Sequence, residues 1–322
     1  MKLNQPHLDT LQQSVLETIG NTPLVLLKHL SATTGVDVFG KLEMANPGGS
    51  IKDRTSLNII EDGIKRGQIT PNTTLIESSS GNMAIGLAQV CGYYNIPLII
   101  VVDPKANKHT IKILKAYGAK VDQVTKPNED GGYLGARLDR VQQLLSEIKD
   151  SFWTNQYGNN ANPQAHYRTM QEIIDKLPDA DYVFSATSTC GTLMGCAAYI
   201  QREQLNTKLI AVDAEGSVIF GDKPKERHIP GHGAGLPSKF LDKSTIHKVM
   251  HISDNECVLG CNKLLRNESI LAGGSSGAVV AAFLKMAPSL PANSKCVLIL
   301  CDRGERYLDT VYNPEWVAKT LN

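Results

Sequence analysis

The chain lacks a surplus of either charge. Its 33 Lys and Arg stand against 32 Asp and Glu, a formal net charge of +1 over 322 residues. That balance removes the main electrostatic argument for binding nucleic acid or an anionic membrane, and no block of like charge is long enough to read as a tail. Long apolar runs are also missing. The longest, Ile96–Val102, is strand-length and interrupted by Pro97, too short to span a bilayer. The segment Met1–Leu16 is polar, without the apolar centre of a signal peptide, which sets the expectation of a cytoplasmic protein. Seven cysteines occur, an odd number with no Cys-x-x-Cys pair, and reduced thiols are expected. Cys257 and Cys261 stand one helical turn apart, but two ligands with no histidine near them in sequence favour buried thiols over a metal site. There is no internal repeat and no low-complexity segment, so a solenoid is excluded.

What is present is an ordinary globular composition, 42% apolar and 20% charged, long enough for two domains or one large α/β unit. Short β-rich runs (Val36–Leu42, Thr74–Ser78, Pro97–Val102, Lys120–Val124, Tyr182–Ala186, Lys208–Asp213, Cys296–Leu300) alternate with helical stretches (Ser56–Arg66, Met83–Tyr93, Lys108–Tyr117, Tyr133–Ile148, Pro163–Lys176, Gly191–Gln204). Several runs are continuously apolar, as in strands buried on both faces of a parallel sheet, and the alternation predicts an α/β fold. Ala214–Lys239 breaks the rhythm with five glycines and three prolines between Gly216 and Pro237. A loop this long inside a compact domain is usually functional.

Four motifs carry chemistry. Asn46-Pro47-Gly48-Gly49-Ser50-Ile51-Lys52-Asp53-Arg54 is a turn followed by a helix start, with Ser50 able to cap it. Lys52 then falls in the first turn, where the helix dipole disfavours a cation and lowers the amine pKa, which suits imine chemistry. The alternative is a surface lysine beside Asp53 and Arg54. Glu77-Ser78-Ser79-Ser80-Gly81-Asn82 ends a strand and opens a helix, where ligands bind in open α/β sheets and where hydroxyls and N–H groups suit a carboxylate or phosphate. It could equally be a plain N-cap. Ser188-Thr189-Cys190-Gly191-Thr192 has the small and hydroxyl residues of a phosphate cradle, and is neither a Walker A loop nor Gly-x-Gly-x-x-Gly. Gly273-Gly274-Ser275-Ser276-Gly277-Ala278 opens another helix, with a serine able to meet a ring nitrogen.

In this order the four motifs resemble the pyridoxal-phosphate enzymes of fold type II, the cysteine synthase and cystathionine β-synthase family. The likeness runs from Ile19-Gly20-Asn21-Thr22-Pro23-Leu24 to Asp302-Arg303-Gly304-Glu305-Arg306-Tyr307. The resemblance implies a two-domain, tryptophan synthase β-like fold of mostly parallel open sheets flanked by helices. It implies a smaller mobile domain at 41–151 and a larger one from 1–40 plus 152–322, with pyridoxal 5'-phosphate between them. It implies that Lys52 holds the cofactor as a Schiff base and moves the α-proton, and that Asn82 contacts the phenolic oxygen. Ser188, Thr189, Cys190, Gly191 and Thr192 would hold the phosphate, and Ser275 would face the pyridine nitrogen. Ser79, Ser80, Asn82 and Gln156 would bind the substrate carboxylate. A homodimer is expected on the same ground.

Three departures from the cysteine synthase pattern bear on the substrate. Ser188 and Cys190 replace glycines of the phosphate loop, Met83 stands where a threonine is usual, and the glycine-rich segment reads Gly231-His232-Gly233-Ala234-Gly235. Together with Gly131-Gly132-Tyr133-Leu134, Trp153–Tyr157 and Val212–Pro224, they resemble a narrower branch. That branch displaces phosphate from O-phospho-L-serine with the amine of L-glutamate, supplying 2,3-diaminopropionate for siderophores. Arg137, Tyr157 and Ser188, beside Met83, are then the positions expected at the leaving phosphate, since an arginine offers a bidentate fork. The alternatives are an Arg137 paired with Asp139 or Glu147 and a packed Tyr157. His228 and His232 lie in the long loop, either touching substrate or simply solvated. The rival functions are a cysteine synthase using O-acetylserine or O-phosphoserine, and a catalytically idle binding relative, against which the intact Lys52, Asn82 and Ser275 argue.

Overall fold

The computed structural model of the protein describes residues 12–129 and 132–321. Most of Met1–Leu16, and Gly131 of the Gly131–Leu134 motif, lie outside the described residues. The strands are β1 (Leu24–Leu26), β2 (Asp37–Leu42), β3 (Thr74–Ser78), β4 (Leu98–Val102), β5 (Lys120–Gln123), β6 (Ser151–Trp153), β7 (Tyr182–Ala186), β8 (Lys208–Ala214), β9 (Lys248–Ile252) and β10 (Lys295–Leu300). The helices are α1 (Lys28–Thr34), α2 (Lys52–Lys65), α3 (Asn82–Tyr94), α4 (Lys108–Ala116), α5 (Gly132–Glu147), α6 (Ala161–Lys176), α7 (Gly191–Arg202), α8 (Asp254–Glu268), α9 (Gly274–Met286) and α10 (Pro314–Thr320).

Two sheets result. One has the order β1-β2-β10-β7-β8-β9 and the other β5-β4-β3-β6. Every pairing is parallel except β1 with β2. The expected α/β class with mostly parallel sheets is what forms, because apolar strands such as Leu98–Val102, buried along their whole length, need cover on both faces. The edge strand β6 straddles the expected division at 151, and residues 41–42 run in the six-stranded sheet. Among the described residues no helix is long and apolar enough to cross a membrane.

The topology brings four strand ends together. The turns after β2, β3, β7 and β10 lead respectively to Lys52, Ser79–Asn82, Ser188–Thr192 and Cys301–Asp302. They are the carboxyl ends of parallel strands, where an open α/β sheet offers its crevice. Helix α9 is buried all round along the segment from Gly274 to Phe283. It is seated against α8 through glycines: a Cβ on Gly260 would lie 2.0 Å from the Gly277 carbonyl oxygen. That close approach sets where the α9 N-terminus, and with it Ser275, can sit.

Candidate active site

Helix α2 begins at Lys52 itself, four residues before the expected start of the helical pattern. The Ser50 hydroxyl accepts from the Lys52 backbone N–H at 3.2 Å, and Ile51 N donates to the Cys301 carbonyl at 2.8 Å. Asp53 is no partner for the Lys52 amine. It is buried and accepts from Gly48 N at 2.5 Å, and burial raises its carboxyl to about 7. Arg54 turns away to Glu43 and Glu172. The surface ion-pair alternative for Lys52 therefore does not hold. Its amine lies below the ordinary lysine value, and the dominant cause is desolvation by burial. Neutral amine is thereby available as nucleophile and base.

Lys52 lines a cavity of about 770 Å³. Around it the structure brings together Ser79, Ser80, Asn82, Met83, Gln156, Tyr157, Ser188, Thr189, Cys190, Gly191, Thr192 and Ser275, drawn from motifs more than two hundred residues apart in sequence. Arg137 does not line this cavity. It pairs with Asp103 at 3.3 Å, with neither Asp139 nor Glu147. Its Nε is buried without a hydrogen-bond partner among the described residues. Tyr157 has its phenol raised by burial, against a hydrogen bond with Ser188, while Arg227 and Arg137 pull it down.

The donor set fits the implied cofactor. Residues 188–192 form the bend between β7 and α7, with Cys190 at φ 65°. This left-handed residue stands at the N-terminus of a twelve-residue helix whose first residues line the cavity, a suitable seat for a phosphate. Ser275 is buried at the first turn of α9 and faces the same cavity. A neutral hydroxyl there does not force protonation of a ring nitrogen as a carboxylate would. Gly231 packs so close that a Cβ would meet Ser275 Oγ at 3.4 Å.

Sequence reasoning missed Asn162. Its Nδ2 donates to the Gln156 carbonyl at 2.7 Å and to Thr189 Oγ1 at 3.0 Å, and its Oδ1 accepts from Thr55 Oγ1 at 3.3 Å. One buried amide so links α2, the carboxylate-side loop and the phosphate cradle. Only its place at a helix start was visible in the sequence. A Cβ on Gly191 would lie 2.1 Å from Asn162 Oδ1. We predict that Gly191→Ala weakens cofactor binding by about tenfold or more, since overpacking costs about 1–3 kcal/mol; absorbance titration of apoprotein with cofactor measures it, and unchanged affinity would dissociate this loop from the phosphate.

Also missed were further lining residues: Lys105, Asn107 and Lys108 before and at the start of α4, Glu226 and Arg227 of the long loop, and Arg306, Tyr307 and Thr310 after β10. Glu77 was quoted only as part of a motif. It is buried, accepts from Thr154 Oγ1 at 2.5 Å, Ser78 N at 2.9 Å and Gln156 N at 3.3 Å, and burial raises its carboxyl despite those bonds. It ties the Thr154–Gln156 segment to the end of β3. Of the two loop histidines, His228 reaches the cavity. His232 is buried away from it, with Nε2 at 3.3 Å from Cys257 Sγ. A histidine therefore does stand beside this cysteine pair, because the long loop folds back onto α8. No group of three or more His, Cys, Asp or Glu suited to a metal exists among the described residues, and all seven cysteines are free and buried.

A family model described as pyridoxal-phosphate dependent enzyme matches residues 15–302. Among solved structures, an O-acetylserine-dependent cystathionine β-synthase from Helicobacter pylori is 32% identical, with 94% of this chain and 99% of that chain covered and a TM-score of 0.85. A cysteine synthase from Entamoeba histolytica is 31% identical, covering 97% of this chain and 94% of that chain, with a TM-score of 0.87. A hydrogen sulfide-producing enzyme from Fusobacterium nucleatum is 32% identical over 92% and 98% of the two chains, with a TM-score of 0.86.

Proposed function

The chain belongs to the pyridoxal-phosphate-dependent enzymes of the cysteine synthase and cystathionine β-synthase family, and from that premise we propose that it is an N-(2-amino-2-carboxyethyl)-L-glutamate synthase. Such an enzyme joins O-phospho-L-serine and L-glutamate and releases phosphate. The product is a precursor of 2,3-diaminopropionate for siderophore assembly. The observation that carries the choice of substrates is the charge of the cavity. Besides Lys52 it is lined by Lys105, Lys108, Arg227 and Arg306 against the single carboxylate of Glu226. Even with Arg306 tied to Asp302, the other three cations suit a phosphorylated amino acid and a dicarboxylic nucleophile better than acetylserine and hydrosulfide, which together carry little negative charge.

The bound cofactor supplies an electron sink for the α-carbon. The chain's own residues do the rest. Ser79, Ser80, the Asn82 backbone N–H at the start of α3, and Gln156 hold the first substrate's carboxylate, while the Asn82 side chain would meet the cofactor's phenolic oxygen. The Lys52 amine takes the α-proton and later returns it to the same carbon. Tyr157 and Ser188, both lining the cavity, face the leaving phosphate, with Arg227 adding positive charge from the same lining and Arg137 from outside it. The β-carbon–oxygen bond breaks, the glutamate nitrogen forms a bond to the β-carbon, and that nitrogen gives up a proton. Met83 in place of threonine removes one hydroxyl from the carboxylate wall. The four-stranded sheet with its helices, which makes up most of residues 41–151, moves against the six-stranded sheet to close the cavity and exclude water, and the molecule is a cytoplasmic homodimer.

Incubating the holoenzyme with O-phospho-L-serine and, in turn, L-glutamate, sulfide and other amines, then weighing the products, tests the proposal. The glutamate adduct with equimolar phosphate is expected. Cysteine as the main product would instead assign a sulfhydrylase, and no turnover with any pair would assign a binding relative.

A further inference from the structure

Asn82 stands at the centre of an arrangement that the reaction scheme does not use. Its Nδ2 donates to Asp302 Oδ2 at 2.9 Å, and its Oδ1 accepts from Arg306 Nη2. A carboxylate only accepts and a guanidinium only donates, so one orientation of the amide satisfies both. The flipped amide would set oxygen against carboxylate and NH₂ against guanidinium. The choice that is usually ambiguous for an asparagine is therefore fixed by charge. One Nδ2 hydrogen is spent on Asp302, and the second is left for the cavity that Asn82 lines.

Asp302 is itself immobile. It is 1% exposed. Its Oδ2 also accepts from the Tyr307 hydroxyl at 2.6 Å and from Arg306 Nη2 at 3.3 Å. Its carbonyl accepts from Gly273 N at 3.0 Å, and it bridges Ser50 in antiparallel fashion. It thus sits between the turn that presents Lys52 and the helix that presents Ser275. Its Oδ1 is buried with no partner among the described residues, and a Cβ on Gly273 would lie 2.1 Å from it, so the carboxylate has no room to swing. A buried carboxylate oxygen left unbonded is costly and calls for a compensating role.

We propose that Asp302 is a positioning residue that makes Asn82 a hydrogen-bond donor, never an acceptor, toward the cofactor's phenolic oxygen, with Arg306 holding the other end of the amide. This deepens the assignment of Asn82 to that oxygen and rests on it. A donor there favours the ionised oxygen, so the pH at which the bound cofactor's visible band titrates reports the amide's orientation directly.

The test compares holoenzyme with Asn82→Ala, Asp302→Asn and the double variant by visible pH titration and steady-state kinetics. An asparagine at 302 keeps the shape but can also donate, so the Asn82 amide loses one of the two charges that hold it unflipped. Asp302→Asn is expected to move the titration midpoint by about one pH unit. It should lower kcat about tenfold with KM for the first substrate within about twofold. The double variant should match Asn82→Ala alone, because Asp302 acts only through that amide. Shifts that add in the double variant, or a wild-type midpoint in Asp302→Asn, overturn the proposal. An unmoved midpoint in Asn82→Ala overturns the assignment of Asn82 itself, and the two failures are thereby distinct. Should Asp302→Asn not fold, Arg306→Gln releases the opposite end of the amide, and the same cycle with Asn82→Ala decides on the same criteria.

Discussion

Lys52→Ala is expected to abolish turnover, by about a thousandfold or more, and to leave cofactor bound only non-covalently. Lys52 is the one lysine that the turn 46–51 delivers to the inner end of the cavity, with burial holding its amine below the normal lysine value. No neighbour can take over. Lys105 and Lys108 line the same cavity from the start of α4, across the crevice. Borohydride reduction of wild-type holoenzyme followed by peptide mass analysis should place the cofactor on Lys52, while the variant should carry no modified peptide. Modification of another lysine together with retained turnover would move the anchor elsewhere. An added small amine should restore part of the activity by supplying the missing base, which a merely unfolded variant could not show.

The second large effect falls on stability. Glu172, on α6, gathers the buried cations. Lys41 Nζ stands at 2.6 Å, Arg54 Nη2 at 2.6 Å, and the Asn21 N–H at 2.9 Å. Arg54 also pairs with buried Glu43 at 2.7 Å, and Lys41 donates to the Thr22 carbonyl at 2.8 Å. The cluster fastens the Gly20–Pro23 stretch, β2, α2 and α6 to one another. Because Arg54 is two residues past Lys52, the cluster also holds the start of α2 in place. Breaking a buried ion network by removing one partner costs about 3–5 kcal/mol, since the other charges stay buried. Glu172→Ala is expected to lose stability in that range, measured by urea unfolding with the slope unchanged. A loss below about 1 kcal/mol would mean that water or a rearranged Glu43 replaces it.

The same carboxyl sets a pH dependence. Burial alone would raise Glu172, but the hydrogen bonds and charge of Arg54, with the Lys41 bond, outweigh it and hold the group at about 2, below its ordinary 4.5. A folded-state value below the unfolded one means that the unfolded chain binds the proton first. The contribution is therefore fully present above about pH 4.5 and is lost as the pH falls toward 2. In Glu172→Ala the acid limb of the stability profile should flatten over that window; an unchanged limb would assign it to other carboxylates.

Much of the fold could be read in the chain because its strong elements are long or uniformly apolar. The run Leu98–Val102 and the helix Ala161–Lys176 announce themselves by composition and period. The elements left unread are β1, β6, β9, α1, α8 and α10, of which β1 and β6 have three residues each and α1 and α10 seven. A three-residue strand such as Ser151–Trp153 has no period to show. It exists because β3 offers it an edge.

The site divides along the same line. Lys52, Asn82, the 188–192 bend and Ser275 are determined by the sequence itself, since a glycine-rich turn before a helix dictates local backbone and carries its own chemistry. Only the tertiary structure decided that these turns meet in one cavity, that Arg137 pairs with Asp103 rather than lining it, and that His232 goes to Cys257. It alone revealed Asn162 and Asp302, whose roles depend on partners as far as 107 and 220 residues away. The reason is physical. Local backbone geometry is written in adjacent residues, whereas the meaning of a buried amide or carboxylate depends on which distant group shares its lack of water.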